Sequence, residues 1–198
     1  MEAVEVLRQK EQQAAIQSDF ELVKNYKRAI FDDGYSFVGG NLNGDITLVE
    51  FIDYKCGYCK KAHGEVEKLL STDGNIRFII KEFPILGEDS LKMSKFALAV
   101  KIAHGDKAYK VVHDILIKMK AAPSTKAFDR ILNNLNLDKK LVQDAMESPE
   151  VKGIIADTRN LAEKLKISGT PTFVMKDELI RGYVPFDALT EIVANKRG

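Results

Sequence analysis

Two cysteines, Cys56 and Cys59, stand two residues apart and are the only cysteines among 198 residues. That spacing suits a disulfide that opens and closes in thiol exchange. A helical sequence begins at the pair, and the unpaired N–H groups and positive dipole of a helix start favour a thiolate at the first cysteine. Cys56 is therefore the expected nucleophile. Cys59, about one turn further in, is placed to attack a mixed disulfide on Cys56 and release the product. Lys55, Lys60 and Lys61 add positive charge around the pair, a minor contribution where their side chains point to solvent.

Other uses of two cysteines ask for residues that are not here. A structural zinc site takes four ligands, usually from two pairs, and only His63 lies near the cysteines in sequence. Covalent haem attachment needs His directly after the second cysteine, where this chain has Lys60. An inert bridge across two residues closes too short a loop to gain much entropy. Redox exchange is favoured, with no cofactor and no metal expected. His63, His104 and His113 read as helix-surface residues rather than ligands.

Two further features bear on that chemistry. Glu50 lies six residues before Cys56 within the apolar run LVEF, where alternation turns it inward with Leu48 and Ile52. A buried acid is costly without a task; the expected one is to take and return the Cys59 proton through a water. The competing reading is a solvated residue at a strand edge. Thr170 and Pro171 follow Gly169 and precede TFVM. Pro opening a strand can be an edge device, whereas a cis Thr170–Pro171 bond would set the Thr170 backbone across from Cys56, ready to pair with an extended chain. Sequence leaves the isomer open.

The elements that must position these residues are readable in outline. Residues 1–32 are rich in Glu, Gln, Lys and Ala, lack Pro and Gly, and carry an irregular apolar stripe, which predicts a helical arm without a strict heptad. A turn-rich stretch over 34–44 leads to a buried strand at 46–54. The helix bearing the cysteines closes at Asp73 and Gly74, and a second strand over 77–83 completes a βαβ unit. Residues 88–166 read as helices only, at 90–104, 109–120, 126–134, 138–147 and 149–165, with Ser124, Asp138 and Ser148 as N-caps. Strand character returns at 172–175 and 179–182, joined by a turn at Lys176 and Asp177, before a last helix at 186–195.

Charge and hydropathy exclude some classes. Thirty basic residues against 29 acidic give a net charge of +1, so no global field draws the chain to nucleic acid or an anionic membrane; nucleic acid is not an expected partner. No apolar run reaches the roughly 18 to 20 residues that span a bilayer. The N-terminus lacks the basic-then-apolar pattern of a secretory signal, so the chain reads as soluble, and its compartment stays open.

The segments LVEFIDYKCGYCKKAH (48–63), KEFPILG (81–87) and LKISGTPTFVM (165–175) together resemble the thioredoxin superfamily, and within it the bacterial DsbA-like branch with a helical insertion. The resemblance covers the chain from about residue 36 onward. It implies an α/β, thioredoxin-like fold: a helical arm at 1–35, then a domain at 36–198 with a helical insertion at about 88–166. It also implies catalytic roles for Cys56 and Cys59, an acid at Glu50 and a cis bond at Pro171. Substrate would bind through Thr170, Pro171, Gly57 and an apolar surface near Tyr58. The partners implied are unfolded or misfolded cysteine-containing proteins and a membrane redox protein. The location implied is the periplasm, with a signal peptide absent from this sequence. Strong oxidants of this branch carry Pro-His between the cysteines; Gly57 and Tyr58 are similar instead to the disulfide isomerases and the copper-sensitivity suppressor proteins. In those relatives an N-terminal segment builds a homo-oligomer, which would employ the arm. The activity implied is isomerase or oxidase, the alternative being a copper-binding thiol protein.

Overall fold

The computed structural model describes residues 2–198, with side chains from residue 4 onward. Helix α1 (Glu2–Asn25) and a short α2 (Lys27–Phe31) meet at Tyr26, which breaks the single arm expected from composition. Next comes β1 (Phe37–Gly40), a strand that the sequence did not signal. Four residues with two glycines carry too little alternation to read. Gly40 takes φ 66°, and a Cβ there would come within 2.4 Å of the Ile76 carbonyl oxygen, so the edge pairing itself requires glycine.

Strand β2 (Ile46–Ile52) is buried at every position except Thr47. It runs into α3 (Gly57–Asp73) and then β3 (Ile76–Glu82), the expected βαβ unit. Gly74, in the left-handed region at φ 68°, ends α3. The insertion holds α4 (Glu88–Lys118), α5 (Thr125–Asn134), α6 (Lys139–Met146) and α7 (Pro149–Lys164). Gly105, at φ 82° and ψ −178°, breaks α4 in two near where the sequence pattern lapses. Ser124, Asp138 and Ser148 each accept a backbone N–H three residues on, at 3.2, 3.0 and 3.2 Å, caps that contribute about 1 kcal/mol apiece. Strands β4 (Thr172–Met175) and β5 (Glu178–Arg181) and helix α8 (Phe186–Arg197) finish the chain.

The sheet has the order β1-β3-β2-β4-β5. Only β2 and β3 are parallel; the other neighbours are antiparallel. Each face buries its own core. Leu48, Ile52, Phe78, Ile80 and Phe173 join α3, the insertion helices and α8 on one side. Val49, Phe51, Ile79 and Val174 meet Val23, Ile30 and the Leu161–Leu165 end of α7 on the other. The second half of the N-terminal arm is thus integral to the domain, and a bidentate Arg181–Asp19 pair (2.6 and 3.0 Å) ties α1 to β5. Earlier apolar residues, Val4, Leu7 and Ile16 among them, face solvent. Among the described residues no helix is long and apolar enough to cross a membrane.

The sheet's second face also carries Lys81, whose fully buried ammonium pairs with Asp33 and donates to the Ala29 carbonyl at 2.8 Å. Asp33 in turn holds Ser36 N and Oγ at 2.9 and 2.6 Å, so the pair anchors the chain between α2 and β1. Removing one partner of a buried ion pair costs about 3–5 kcal/mol. Asp33→Asn is therefore expected to lower the urea unfolding midpoint by the equivalent of that range; an unchanged midpoint would show that the pair adds nothing to the junction.

Candidate functional site

Cys56 is the N-cap of α3, in extended backbone at φ −73° and ψ 119°, and its sulfur accepts the Cys59 N–H at 3.4 Å. The residue is 8% exposed, while Cys59, inside the first turn, is fully buried. Both are free thiols. The Cys59 side chain, hydrogen-bonded to the Cys56 sulfur, has the largest effect on ionisation. With the Thr170 side chain and the backbone N–H groups of Cys59 and Tyr58, it outweighs burial and brings Cys56 down from 9.0 to about 5. As a thiol, Cys56 donates to the Thr170 carbonyl at 3.1 Å; ionisation gives up that bond, so this carbonyl opposes the shift. The same Cys56 contact, then burial and the Glu50 charge, push Cys59 far above its ordinary value. The two sulfurs share one proton, and Cys59 keeps it.

The lysines do not produce this. Lys60 donates to the Met119 carbonyl at 2.6 Å, Lys55 pairs with Asp89 at 3.7 Å, and Lys61 lies over the Tyr183 ring. The positive charge expected from the sequence is directed away from the sulfurs, and the shift comes from hydrogen-bond donors at the helix start.

Glu50 is buried on the face of β2 that meets α3, as alternation requires, and not at a solvated edge. Burial, then the charges of Glu67 and Cys56, push its carboxyl up to about 8. Among the described residues no hydrogen-bond donor reaches it. Thr170 and Pro171 are joined by a cis bond, and Thr170 stands opposite Cys56 across the gap between the β2–α3 turn and the start of β4. Tyr58, 65% exposed, crowns the turn beside Gly57.

Asp53 was not singled out in the sequence, yet its buried carboxylate organises the site. It accepts Lys55 N (2.8 Å), Ser90 Oγ (2.7 Å), Ile85 N (2.8 Å) and Leu86 N (3.0 Å), and its carbonyl accepts Cys56 N (3.0 Å). One side chain thereby ties the turn before the cysteines to the loop after β3, which presents Ile85 and Leu86 to solvent. An Asp three residues before a helix cap is a common turn residue, and its long-range partners leave no local mark.

Behind the pair lies a second buried polar group. Glu82 accepts hydroxyls from Tyr54 (2.7 Å), Tyr109 (2.6 Å) and Ser94 (2.6 Å), though burial still pushes its carboxyl up to about 7. Tyr54 also meets His113 Nδ1 at 3.0 Å, and the His113 ring lies 5.5 Å from that of His63. Both histidines are buried, not on the helix surface as the sequence suggested; only His104 fits that reading. A histidine inside an amphipathic pattern reads as surface unless its partner on another helix is known.

Residues 32–195 match the family model described as thioredoxin. A solved thioredoxin-like oxidoreductase from Silicibacter pomeroyi DSS-3 is 38% identical, with a TM-score of 0.80 over 86% of this chain and 97% of that one. The thiol-disulfide exchange protein alpha-DsbA2 from Wolbachia pipientis is 30% identical, with a TM-score of 0.84 over 92% and 98%. ScsC of Proteus mirabilis in a compact conformation is 26% identical, with a TM-score of 0.79 over 98% and 91%. The chain spans about a quarter of the length of the curated relatives it matches first, Na(+)/H(+) antiporters such as NhaA 3 of Salinispora tropica, 25% identical over 82% of this chain and 25% of that protein.

Ultraviolet titration of the reduced protein should show one thiolate forming with a midpoint near pH 5. In Cys59→Ala the midpoint should rise, because the largest contribution to the shift is removed; an unmoved midpoint would assign the shift to Thr170 and the backbone donors. Glu50 is tested through stability. Between 4.5, its ordinary value, and about 8 the folded carboxyl keeps a proton that the unfolded one loses. Its contribution is therefore full below 4.5 and falls by about 1.4 kcal/mol per pH unit until the folded value is passed. With the cysteines joined as a disulfide, so that thiol ionisation does not interfere, Glu50→Gln should gain on the parent protein steadily from pH 5 to 8 in urea unfolding. Parallel curves would sink the assignment.

Proposed function

The chain belongs to the thioredoxin family, and from that premise we propose that it is a protein thiol-disulfide oxidoreductase acting on disulfides of client proteins in the cell envelope. The observation that carries this reading is the unequal pair: a capped, depressed Cys56 at the rim and a buried Cys59 that holds the shared proton. The Cys56 thiolate attacks a client disulfide, forming a Cys56–client bond and expelling the second client sulfur as thiolate. In isomerisation that freed thiolate attacks elsewhere in the client until Cys56 is released unchanged. Where release stalls, the ionised form of Glu50, a minority below its folded value of about 8, takes the Cys59 proton through a water. Cys59 then attacks Cys56 Sγ, leaving a Cys56–Cys59 disulfide and a reduced client. Run in reverse, the same steps oxidise a client dithiol.

Several features support protein clients. Thr170 presents its backbone beside Cys56, with Pro171 fixing the turn, and extended chains pair with such an edge. Tyr58, Ile85 and Leu86 give an apolar rim, while Gly57 leaves the approach to Cys56 free of a side chain. A thiol lowered to about 5 stabilises the reduced form, which favours isomerisation or oxidation over reduction. Copper capture would use both thiolates and displace the Cys59 proton, whereas the unequal pair, with one thiolate at the rim and one buried thiol, is what exchange uses, so exchange is the stronger reading. The exposed apolar residues of the first half of α1 support assembly of copies through the arm, and oxidation would need a membrane redox protein to restore the disulfide.

The test is recovery of activity from a scrambled-disulfide enzyme. Cys56→Ala should abolish recovery, and Cys59→Ser should accumulate a client joined through Cys56, visible by mass spectrometry. Deleting residues 1–15, which leaves Val23 and Ile30 in place, should reduce recovery and oligomer size together. Absence of any Cys56-linked client in Cys59→Ser would overturn the reading. Rapid oxidation of a dithiol peptide without recovery would make the protein an oxidase.

A further inference from the structure

One turn beyond Cys59, α3 turns His63 into the interior, where the second half of α4 brings His113 and Asp114. One donor atom from each of these three side chains lies within 4.8 Å of the other two. His63 Nε2 is buried without a hydrogen-bond partner; it stands 3.4 Å from Asp114 Oδ1 but is not aligned to bond it. We propose that His63, His113 and Asp114 form a binding site for a divalent first-row cation of the zinc class, held by two imidazole nitrogens and a carboxylate oxygen, with the remaining position left to water. This reverses the expectation of no metal drawn from the sequence, and the site is separate from the cysteine pair.

The surroundings prepare the histidines as ligands. Tyr54 donates its hydroxyl to Glu82 at 2.7 Å, so at 3.0 Å its oxygen accepts the proton of His113 Nδ1. That fixes the tautomer and leaves His113 Nε2 with its lone pair free. Metal-bound imidazoles are commonly oriented by such an outer partner. Burial lowers the pKa of both histidines, so at neutral pH a cation displaces no proton from them. Two imidazoles with one carboxylate and an open position are a donor set that zinc accepts. The side chain of Asp114 is about a third exposed and gives a way in from solvent.

The competing charges are specific. Lys110 Nζ lies 2.8 Å from both Asp114 oxygens and 3.0 Å from Glu67 Oε1. It now occupies the carboxylate that a metal would take, and Glu67 is positioned to receive it when displaced. Lys118 adds positive charge near His63 and opposes binding, while Glu67 and Asp114 favour it. A bound cation would join α3 to the second half of α4, clamping the insertion to the helix that carries the sulfurs.

The experiment is calorimetric titration of Zn2+ into the full chain with Cys56 and Cys59 joined as a disulfide, so that no thiolate takes part. One ion per chain is expected, raising the thermal midpoint as ligand binding to the folded state must. His63→Gln and Asp114→Asn should each weaken binding by at least about tenfold, the lower bound even for loss of an outer partner. Lys110→Met should strengthen it, an outcome that a purely structural role for these residues does not produce. Thermal unfolding of each metal-free variant confirms that it folds. No binding, or binding equally strong in all four proteins and so an adventitious ion only, would overturn the proposal. Because the titration is done without free thiols, its failure leaves the exchange reading untouched, and failure of client trapping leaves this site untouched.

Discussion

The bond on which the site depends is the hydrogen bond from Cys59 N–H to Cys56 Sγ, the contact that makes a sulfur the N-cap of α3. A cap must accept, and a thiolate accepts better than a thiol. Helix formation and ionisation are thus coupled at one atom: the turn that starts α3 is strongest when Cys56 is charged. This requires β2 to end at Ile52 with the turn that follows held in place, which Asp53 does by binding Lys55 N and the loop at Ile85 and Leu86. It also requires the start of β4 to reach across to Cys56, which the turn at Thr170 and Pro171 does. Three distant segments are needed to hold one sulfur.

The buried carboxyls show how differently the fold treats like groups. Asp53 is met by three N–H groups and a hydroxyl, and Glu82 by three hydroxyls. Each is a polar group whose desolvation is offset by dedicated donors. Glu50 sits at the same depth in the adjacent strand with no donor at all among the described residues, and its carboxyl is pushed higher, to about 8 against about 7 for Glu82. Asp53 and Glu82 have dedicated protein donors, whereas Glu50, beside the sulfur that retains its proton, has none among the described residues. That contrast fits the proton handling proposed for Glu50.

What could be read from the sequence follows the range of the interactions involved. The cysteine spacing, the apolar run around Glu50, the Thr-Pro before TFVM and the capped insertion helices are local patterns, and each element stands where its pattern put it. Strand β1 was missed because its only reason to be extended is the edge of β3, and Gly40 meets the backbone of Ile76 across 36 positions of chain. The three lysines near the cysteines read as electrostatic support, yet their partners lie at Met119, Asp89 and Tyr183. Asp53, His63 and His113 share this property: the partner that defines each comes from another element, and composition cannot announce it.

The helical insertion is usefully viewed from Gly105. Were α4 continuous, the face that buries Phe96 and Val100 in the first core would fix the rotation of everything after it. The residue at φ 82° and ψ −178° cancels that phase, so the segment beyond can bring Tyr109, Val112 and His113 inward together against β3 and α3. Tyr109 completes the shell of Glu82, and His113 reaches Tyr54, two residues before Cys56 in sequence. The insertion is therefore more than a lid on the sheet: its second half completes the polar shell of Glu82 and reaches Tyr54 behind the cysteine turn.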